Sequence, residues 1–593
     1  MKLKHLYILG AVALMTASCN EDRFLDLKPQ GSLNEDIMTS TEGADLLVNA
    51  AYAALGGPEG QSWSVWCHPT SNWTYGEVRS DNAYKGGGGV GDLNEVHRME
   101  TFDMDATNGF LDSKWYHLYC SVQRCNSALR VLNAATDEQV NGRVSRIAEM
   151  KVLRAHYYFE LSRLFNKIPY FDENVEISQY PDIPNNEFTR DEILSMLAEE
   201  MLDAAEQLPA SQPEVGRIHK YIALAYAAKI KLYQAYQQDE TTHAVTSINK
   251  ELLREVVSLC DQVTASNRYG LLDDFQGLDL VANENGKESV FAIQYSMNDG
   301  TESAGRINWS NLLNSPGGSP YGGDGFFLPS QDLINAYQTD ANGLPDFNYQ
   351  SKSDYSWAVL NNGVYTLQNT TPNVDPRLDF VVGRPTITWK TYPDKPCEGW
   401  VRDKETYGYN CAKRFWVSPE SSDMFNGWPW GASQLNWQII RYADILLWKA
   451  EALIELNEGN GLETARDLIN QIRNRARNSA YVKDFNDHSK YAANYLVNPY
   501  PADVWNQDYA RQALRWETRL EKALEGERFF DLVRWGIVET TMNKYITAES
   551  DNRIYYANAH FTGGKDEYYP VPNNQYGFSG GKYVQNPGYA PFN

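Results

Sequence analysis

The sequence predicts an all-α dominated fold, a tetratricopeptide-like scaffold of paired helices with long loop-rich insertions and minor β structure. Three observations predict it. Apolar residues recur at three- and four-residue spacing over long stretches, the period of a helix with one buried face. These stretches come in adjacent pairs, and a helix pair must stack on a neighbour to bury its own apolar face. Between residues 270 and 435 the period fades and Gly, Pro, Asn and Asp cluster instead. The chain has 593 residues, 42% hydrophobic and 22% charged, which allows a large core and excludes wholesale disorder. The 53 basic side chains stand against 77 acidic ones, a net charge of −24 that excludes nucleic acid as a partner. Aromatic residues reach 13%, with 16 Trp and 38 Tyr, and flat rings suit both cores and the apolar faces of sugars.

Residues 1–18 read as a lipoprotein signal peptide. Lys2 and Lys4 precede an apolar run from Leu6 to Met15, too short to span a bilayer. Thr16-Ala17-Ser18-Cys19 resembles a bacterial lipobox, which makes Cys19 the acylated residue and the new N-terminus. Asn20-Glu21-Asp22 resembles a surface-export signal of Gram-negative lipoproteins, so the expected location is the cell outer membrane, lipid-anchored and surface-exposed. Cleavage leaves 51 basic side chains and a net charge of −26. Residues 19–41 form the lipidated tether and an extended segment, with Phe24, Leu25 and Leu27 as anchors.

Residues 42–593 read as one domain. Its scaffold lies at about 42–56, 108–266 and 438–545, and its insertions at about 57–107 and 270–437. The helical stretches are 42–56, closed by Gly56; 108–135; 138–166, stopped before Pro169; 190–208; 215–237; 248–264; 438–457; 462–478; 508–524; and 527–535. Ser289–Tyr295 and Phe380–Val382 read as short β runs. No later segment offers 18 consecutive apolar residues. Six cysteines come after Cys19, without a CxxC pair. Cys397 and Cys411 fit either a loop disulfide or free buried thiols.

A carbohydrate site needs aromatic platforms for the C–H faces of sugar rings and Asn, Asp, Gln or Arg for their hydroxyls. Two loop stretches supply that mixture. The first holds Trp63, Trp66, Trp73, Tyr75, Arg79, Asp81, Asn82 and Tyr84; the second holds Asn308, Trp309, Asn311 and Tyr321. Trp115, Trp448, Trp516 and Trp535 lie on helical patterns and read as core. Gly86–Gly89 lacks a following GK[ST] and reads as a hinge rather than a phosphate loop. Asp81, Asp92 and Glu95 lack the order of a calcium loop, so no metal is assigned, and no cofactor is implied.

Several stretches together resemble the SusD/RagB family of surface glycan-binding lipoproteins. They are Cys19 with Phe24-Leu25-Asp26-Leu27-Lys28-Pro29; Leu153-Arg154-Ala155-His156-Tyr157-Tyr158-Phe159-Glu160-Leu161 with Ile168-Pro169; Pro329-Ser330-Gln331-Asp332-Leu333; and Asp375-Pro376-Arg377-Leu378. Further along come Arg441-Tyr442-Ala443-Asp444-Ile445-Leu446-Leu447 with Ala450-Glu451-Ala452, and Glu525-Gly526-Glu527-Arg528-Phe529-Phe530-Asp531-Leu532 with Arg534-Trp535. Lys522 departs from the family, which more often has an apolar or small residue there. The resemblance implies four tetratricopeptide-like units carrying glycan-binding loops, with glycan contacts from the same two loop stretches. It implies non-catalytic binding of oligosaccharides or polysaccharides and their delivery to a SusC-like TonB-dependent transporter, with the outer membrane reached through the N-terminal lipid. Trp389, Trp400, Trp416, Trp428, Trp430 and Trp437 line the 385–437 insert, either a second platform or the face that meets the transporter, and it ranks below the two loop stretches as a glycan site.

Two rival functions rest on other features. Paired helices of this type also serve protein-interaction lipoproteins that bind no glycan. A surface glycoside hydrolase would need two carboxylates roughly 5–10 Å apart, and no HExxH or GxSxG motif supports an enzyme. Arg79, Lys85, Arg98 and Arg306 near the candidate loops leave room for an acidic glycan. Cys19→Ala is expected to leave the protein in the soluble periplasmic fraction; continued fractionation with the outer membrane would refute the lipid tether.

Overall fold

The computed structural model describes residues 39–57, 63–300, 305–355, 358–361, 364–367, 372–389, 399–428 and 430–592. Cys19, the anchors Phe24, Leu25 and Leu27, and Cys397 lie outside the described residues, as does the side chain of Trp63. Helices dominate. The longer ones are α1 Thr41–Ala53, α2 Asn94–Glu100, α3 Gly109–Ala134, α4 Arg143–Phe165, α5 Arg190–Gln207, α6 Lys220–Ala235, α7 Lys250–Ala265, α8 Tyr442–Leu456, α9 Gly461–Asn478, α10 Gln507–Glu521, α11 Arg528–Arg534 and α12 Val538–Glu549. Their starts obey the capping chemistry in the sequence. Ser40 Oγ accepts from Gly43 N, Thr189 and Glu192 form a capping box at α5, and Asn249 caps α7. Consecutive helices pack in order, α3 on α4, α4 on α5, α5 on α6 and α6 on α7; α7 then packs on α8, and α8 on α9 and α10. The paired-helix scaffold expected from the sequence is therefore the observed one. The core helical tryptophans behave as expected: Trp115, Trp448 and Trp535 are buried and Trp516 is half-buried.

Four strands position the loops: β1 Ala83–Gly86, β2 Ser289–Ile293, β3 Phe326–Pro329 and β4 Trp437–Arg441. Residues 438–441, expected as the start of a helix, instead form β4, antiparallel to β2 with Trp437 opposite Ile293 and Arg441 opposite Ser289. The β-branched pair Ile439-Ile440 favours the pleated form, and Arg441 then caps α8 with Asp444. Phe380 and Val381 close a short helix, Arg377–Val381, rather than a β run; of that run only Val382 pairs, opposite Ala412. The stretch 215–219 is not helical, and α6 begins at Lys220.

One ionic network runs through the interior. Glu517 and Glu521 lie one turn apart on α10 and face the same way. Arg377 reaches both, at 2.6 and 3.1 Å, and also Asp375 at 2.7 Å. Arg473 takes the other Glu517 oxygen at 3.0 Å. Arg441 binds Glu521 at 2.7 Å, Glu525 at 3.0 Å and Glu288 at 3.1 Å, and Arg475 binds Glu288 and Glu521. Arg414 adds Asp279 and Glu525. Lys522, the residue that departs from the family pattern, bridges Asp444 and Glu525. All these side chains are buried or nearly so. A second arm joins Arg519 to Asp332 and Asp81, Arg528 to Asp81, and Arg163 to Glu160 and Glu527. The stretches that carry the family resemblance are thus largely the members of this network. Gly526 completes it by shape. A β-carbon there would stand 1.9 Å from the Ser71 carbonyl oxygen, and its φ of +83° is a region that favours glycine.

Burial by itself would raise the Glu521 carboxyl, but Arg475, Arg441 and Arg377 outweigh it and hold it at about 2, below the ordinary 4.5. A depressed carboxylate contributes stability that is present above its unfolded value and lost as pH falls through the folded one. Glu521→Gln should cost about 3–5 kcal/mol near neutrality. In denaturant titrations the gap to wild type should narrow as pH falls from 4.5 towards 2, and a gap independent of pH would contradict the assignment.

Candidate functional site

The two loop stretches chosen from the sequence do meet. β1 and β3 pair antiparallel, with Ala83 opposite Pro329 and Gly86 opposite Phe326. Ser71 Oγ donates to Asn311 Oδ1 at 2.6 Å, and Thr70 N donates to Ser310 Oγ at 3.2 Å. They meet inside the protein, however, and most of the selected side chains are spent there.

Trp73 is fully buried against Phe326 and Phe327. Tyr75 donates its hydroxyl to the carbonyls of Cys67 and Phe110. Asp81 pairs with Arg528 and Arg519, and Asn82 donates to Glu77 while accepting from Arg519. Tyr84 donates to Glu549 at 2.6 Å. All five are at most 2% exposed, so none offers a face to a sugar, which corrects the expectation for them. The physical reason is the ion network, which draws this polar, aromatic segment inward to supply partners for Arg519 and Arg528. Asn308 accepts from Ser433 N, and Asn308 and Asn311 line an internal cavity of about 30 Å³, room for water only. Gly86–Gly89 is not a hinge. Gly87 N donates to Gly325 O at 2.9 Å, and a β-carbon on Gly87 would meet the Phe326 ring at 2.5 Å.

Single exposed rings are scattered, at Tyr116, Tyr491 and Phe578 among others; the two exposed indoles come as a pair in the 385–437 insert. Residues 423–428 and 430–434 lie against each other, joined by the Met424–Ser433 bridge and by Phe425 N donating to Ala432 O at 2.9 Å. Trp428 ends the first stretch and Trp430 begins the second, each 48% exposed. Two seats hold them. The Trp428 ring meets Trp309 edge-on, with centroids 5.9 Å apart and planes at 61°. Trp309 is buried in a small cluster with Val65, Ile307, Leu312 and Ala432, and half-buried Trp66 and Phe425 pack against it. The Trp430 ring lies on the backbone of Gly322, where a β-carbon would come within 3.2 Å of the indole. Beside that glycine, buried Tyr321 accepts from Trp389 Nε1 at 2.9 Å and packs with Trp400 and Trp416. Trp309 and Tyr321, expected to touch ligand, are therefore buried beneath the two exposed indoles. The signal that marks the pair is local: Asn426-Gly427 and Gly431 bracket Trp428-Pro429-Trp430, so both indoles sit in turn chemistry.

Other concavities fit a sugar less well. A cavity of about 40 Å³ lined by His68, Lys114, His156, Glu160 and Lys229 lies within the scaffold and admits water only. A wide depression of about 770 Å³ runs between α1, residues 214–217 and β2. Its tyrosines are engaged through their hydroxyls, Tyr52 with Glu149 and Tyr295 with Thr70, and Trp309 at its edge is buried. Three of the four cations named from the sequence are also occupied. Arg79 stacks on Tyr569 and donates to Asp566 O, Lys85 donates to three carbonyls, and Arg98 pairs with Asp103 and Asp105. Asp81 and Asp92 do not share a site, since Asp92 serves Arg402 and Gly88 N.

A stacked-helix scaffold with half-exposed indoles on a loop is an arrangement in which loops on a rigid body are free to bind. The chain belongs to the SusD family: the model described as "SusD family" matches residues 287–589, and one described as "Starch-binding associating with outer membrane" matches residues 23–232. It is 22% identical to a SusD-like protein of Bacteroides ovatus, over 90% of this chain and 83% of that one. A laminarin-binding SusD-like protein has the same fold, with a TM-score of 0.62 and 21% identity, covering 93% of this chain and all of the other. Surface glycan-binding protein A of Bacteroides thetaiotaomicron, solved in complex with laminarihexaose, also superposes at a TM-score of 0.62 with 18% identity, covering 92% and 99% of the two chains.

The burial difference is open to direct measurement. Replacing Trp428 and Trp430 by Phe should remove most of the acrylamide-accessible indole fluorescence. Trp73→Phe should leave quenching unchanged and lower the melting temperature; the reverse pattern would place the solvent-facing rings elsewhere.

Proposed function

We propose that the protein is a non-catalytic, lipid-anchored receptor that captures an uncharged oligosaccharide or polysaccharide at the cell surface and hands it to a SusC-like TonB-dependent transporter. The observation that carries this reading is the pair of half-exposed indoles seated rigidly on Trp309 and Gly322. Flat rings held without freedom bind sugar faces at low ordering cost. Trp66, half-buried beside Trp309, extends the same platform from the first stretch. Relatives of the same fold that bind laminarin or laminarihexaose support the choice of ligand class, as does the family description naming starch. An uncharged ligand is favoured because Arg79, Lys85 and Arg98 are occupied and the chain carries a large negative charge. Catalysis finds little support in the loop that bears Trp428 and Trp430, where Asp423 is held by Gln434 and Ser421.

Retardation in affinity gels containing laminarin or starch, followed by calorimetry with the matching oligosaccharide, tests the reading. Trp428→Ala and Trp430→Ala should each weaken binding by about 2 kcal/mol, roughly 30-fold, and Tyr84→Phe should not. Affinity should be the same at low and high salt, as expected of an uncharged ligand. Retention of full affinity in both tryptophan variants would overturn the platform, and release of reducing ends would overturn the non-catalytic reading. Co-isolation of a TonB-dependent barrel with the lipidated protein tests the delivery step.

A further inference from the structure

Resting on that reading of Trp428 and Trp430, we infer that Arg402 is a positioning residue for the carbohydrate platform. One guanidinium threads between two glycine-rich loops and fixes the backbone bed on which the Trp430 ring lies.

The contacts form a continuous path. Arg402 Nη1 pairs with Asp92 Oδ2 at 3.2 Å and donates to the Asp324 carbonyl at 2.8 Å. Asp92 is itself tied to its own loop, accepting from Gly88 N at 2.8 Å. The passage for the arginine exists because three neighbours are glycines. A β-carbon would stand 2.9 Å from Arg402 Nη2 at Gly88, 2.7 Å from Cγ at Gly317 and 3.3 Å from Cδ at Gly325. On the far side, the 315–325 loop is closed on itself. Gly325 N donates to Ser315 O at 2.8 Å, and Ser315 Oγ donates to Gly322 O at 2.7 Å. Gly322 carries the Trp430 ring. A displacement of Asp324 therefore reaches the indole through this short, hydrogen-bonded loop.

The Arg402 side chain is 40% exposed and its partner Asp92 36%. A pair so open to water contributes little to global stability, so the role that remains is placement. Both bonds leave the same nitrogen, Nη1, whose hydrogens are fixed in the guanidinium plane; a lysine side chain is shorter and ends before that position, with its donors free to rotate.

The test compares wild type, Arg402→Ala, Arg402→Lys, Trp430→Ala and the Arg402→Ala/Trp430→Ala double variant in calorimetric titrations with laminarihexaose, each with its melting temperature. Arg402→Ala should weaken binding about tenfold with little change in melting temperature, and Arg402→Lys should restore only part of that. In the double variant the loss should equal that of Trp430→Ala alone, because the arginine acts through the indole. Additive losses would show Arg402 acting on the sugar directly and overturn the inference, as would full affinity in Arg402→Ala. If laminarihexaose fails to bind wild type, the functional reading fails for that ligand, and the inference is read from the ligand-free protein. The quenching component removed by Trp430→Phe should grow in Arg402→Ala, and no change in it would refute the positioning role.

Discussion

The buried ion network on α10 is the constraint on which the rest of this structure depends. Glu517 and Glu521 sit where four arginines from distant parts of the chain converge. Removing such charges from water costs several kcal/mol per ion, and mutual attraction repays it only when every member has its partners. The network therefore behaves as a unit. It joins the Asp375–Arg377 corner, the start of α8, the end of α9 and the Glu525-Gly526-Glu527 turn, and it sets how the helix pairs meet. Loss of one member would leave the others charged and buried.

That constraint explains why the family is so readable from scattered short motifs. Asp332, Arg377, Arg441, Asp444, Glu525 and Arg528 are separated widely in sequence and gathered in space. They mark the scaffold and not the ligand. The loop that carries Trp428 and Trp430 has no share in the network. It is held by backbone bonds across its own base, by Asn308 at Ser433, by Trp309 and by the Gly322 backbone. A rim that shares none of the buried charges can change its aromatic residues without disturbing the network.

The helices were legible because periodicity is local: apolar residues at three- and four-residue spacing mark a buried face within the stretch itself. β4 was less legible, since Trp437–Arg441 runs directly into α8 and only its partner β2 decides the pleated form. The two loop stretches chosen from the sequence turned out mostly buried, and the exposed indole pair lies in the insert placed after them. Aromatic, amide and arginine side chains mixed in a loop describe a sugar platform and a packed polar seam equally well. Arg79 among Tyr569, Phe529 and Phe102 is such a seam.

From its residues alone the chain determines its helix-pair architecture, its family and its strong negative charge, because periodicity, capping, motif order and composition are properties of neighbouring residues. Only the tertiary structure decided which indoles meet water. Exposure depends on residues brought together from far apart: Phe326 covers Trp73, whereas nothing among the described residues covers more than about half of Trp428 or Trp430. A side chain's direction is set by the partner that arrives from elsewhere in the fold, and that partner is absent from any local stretch of sequence.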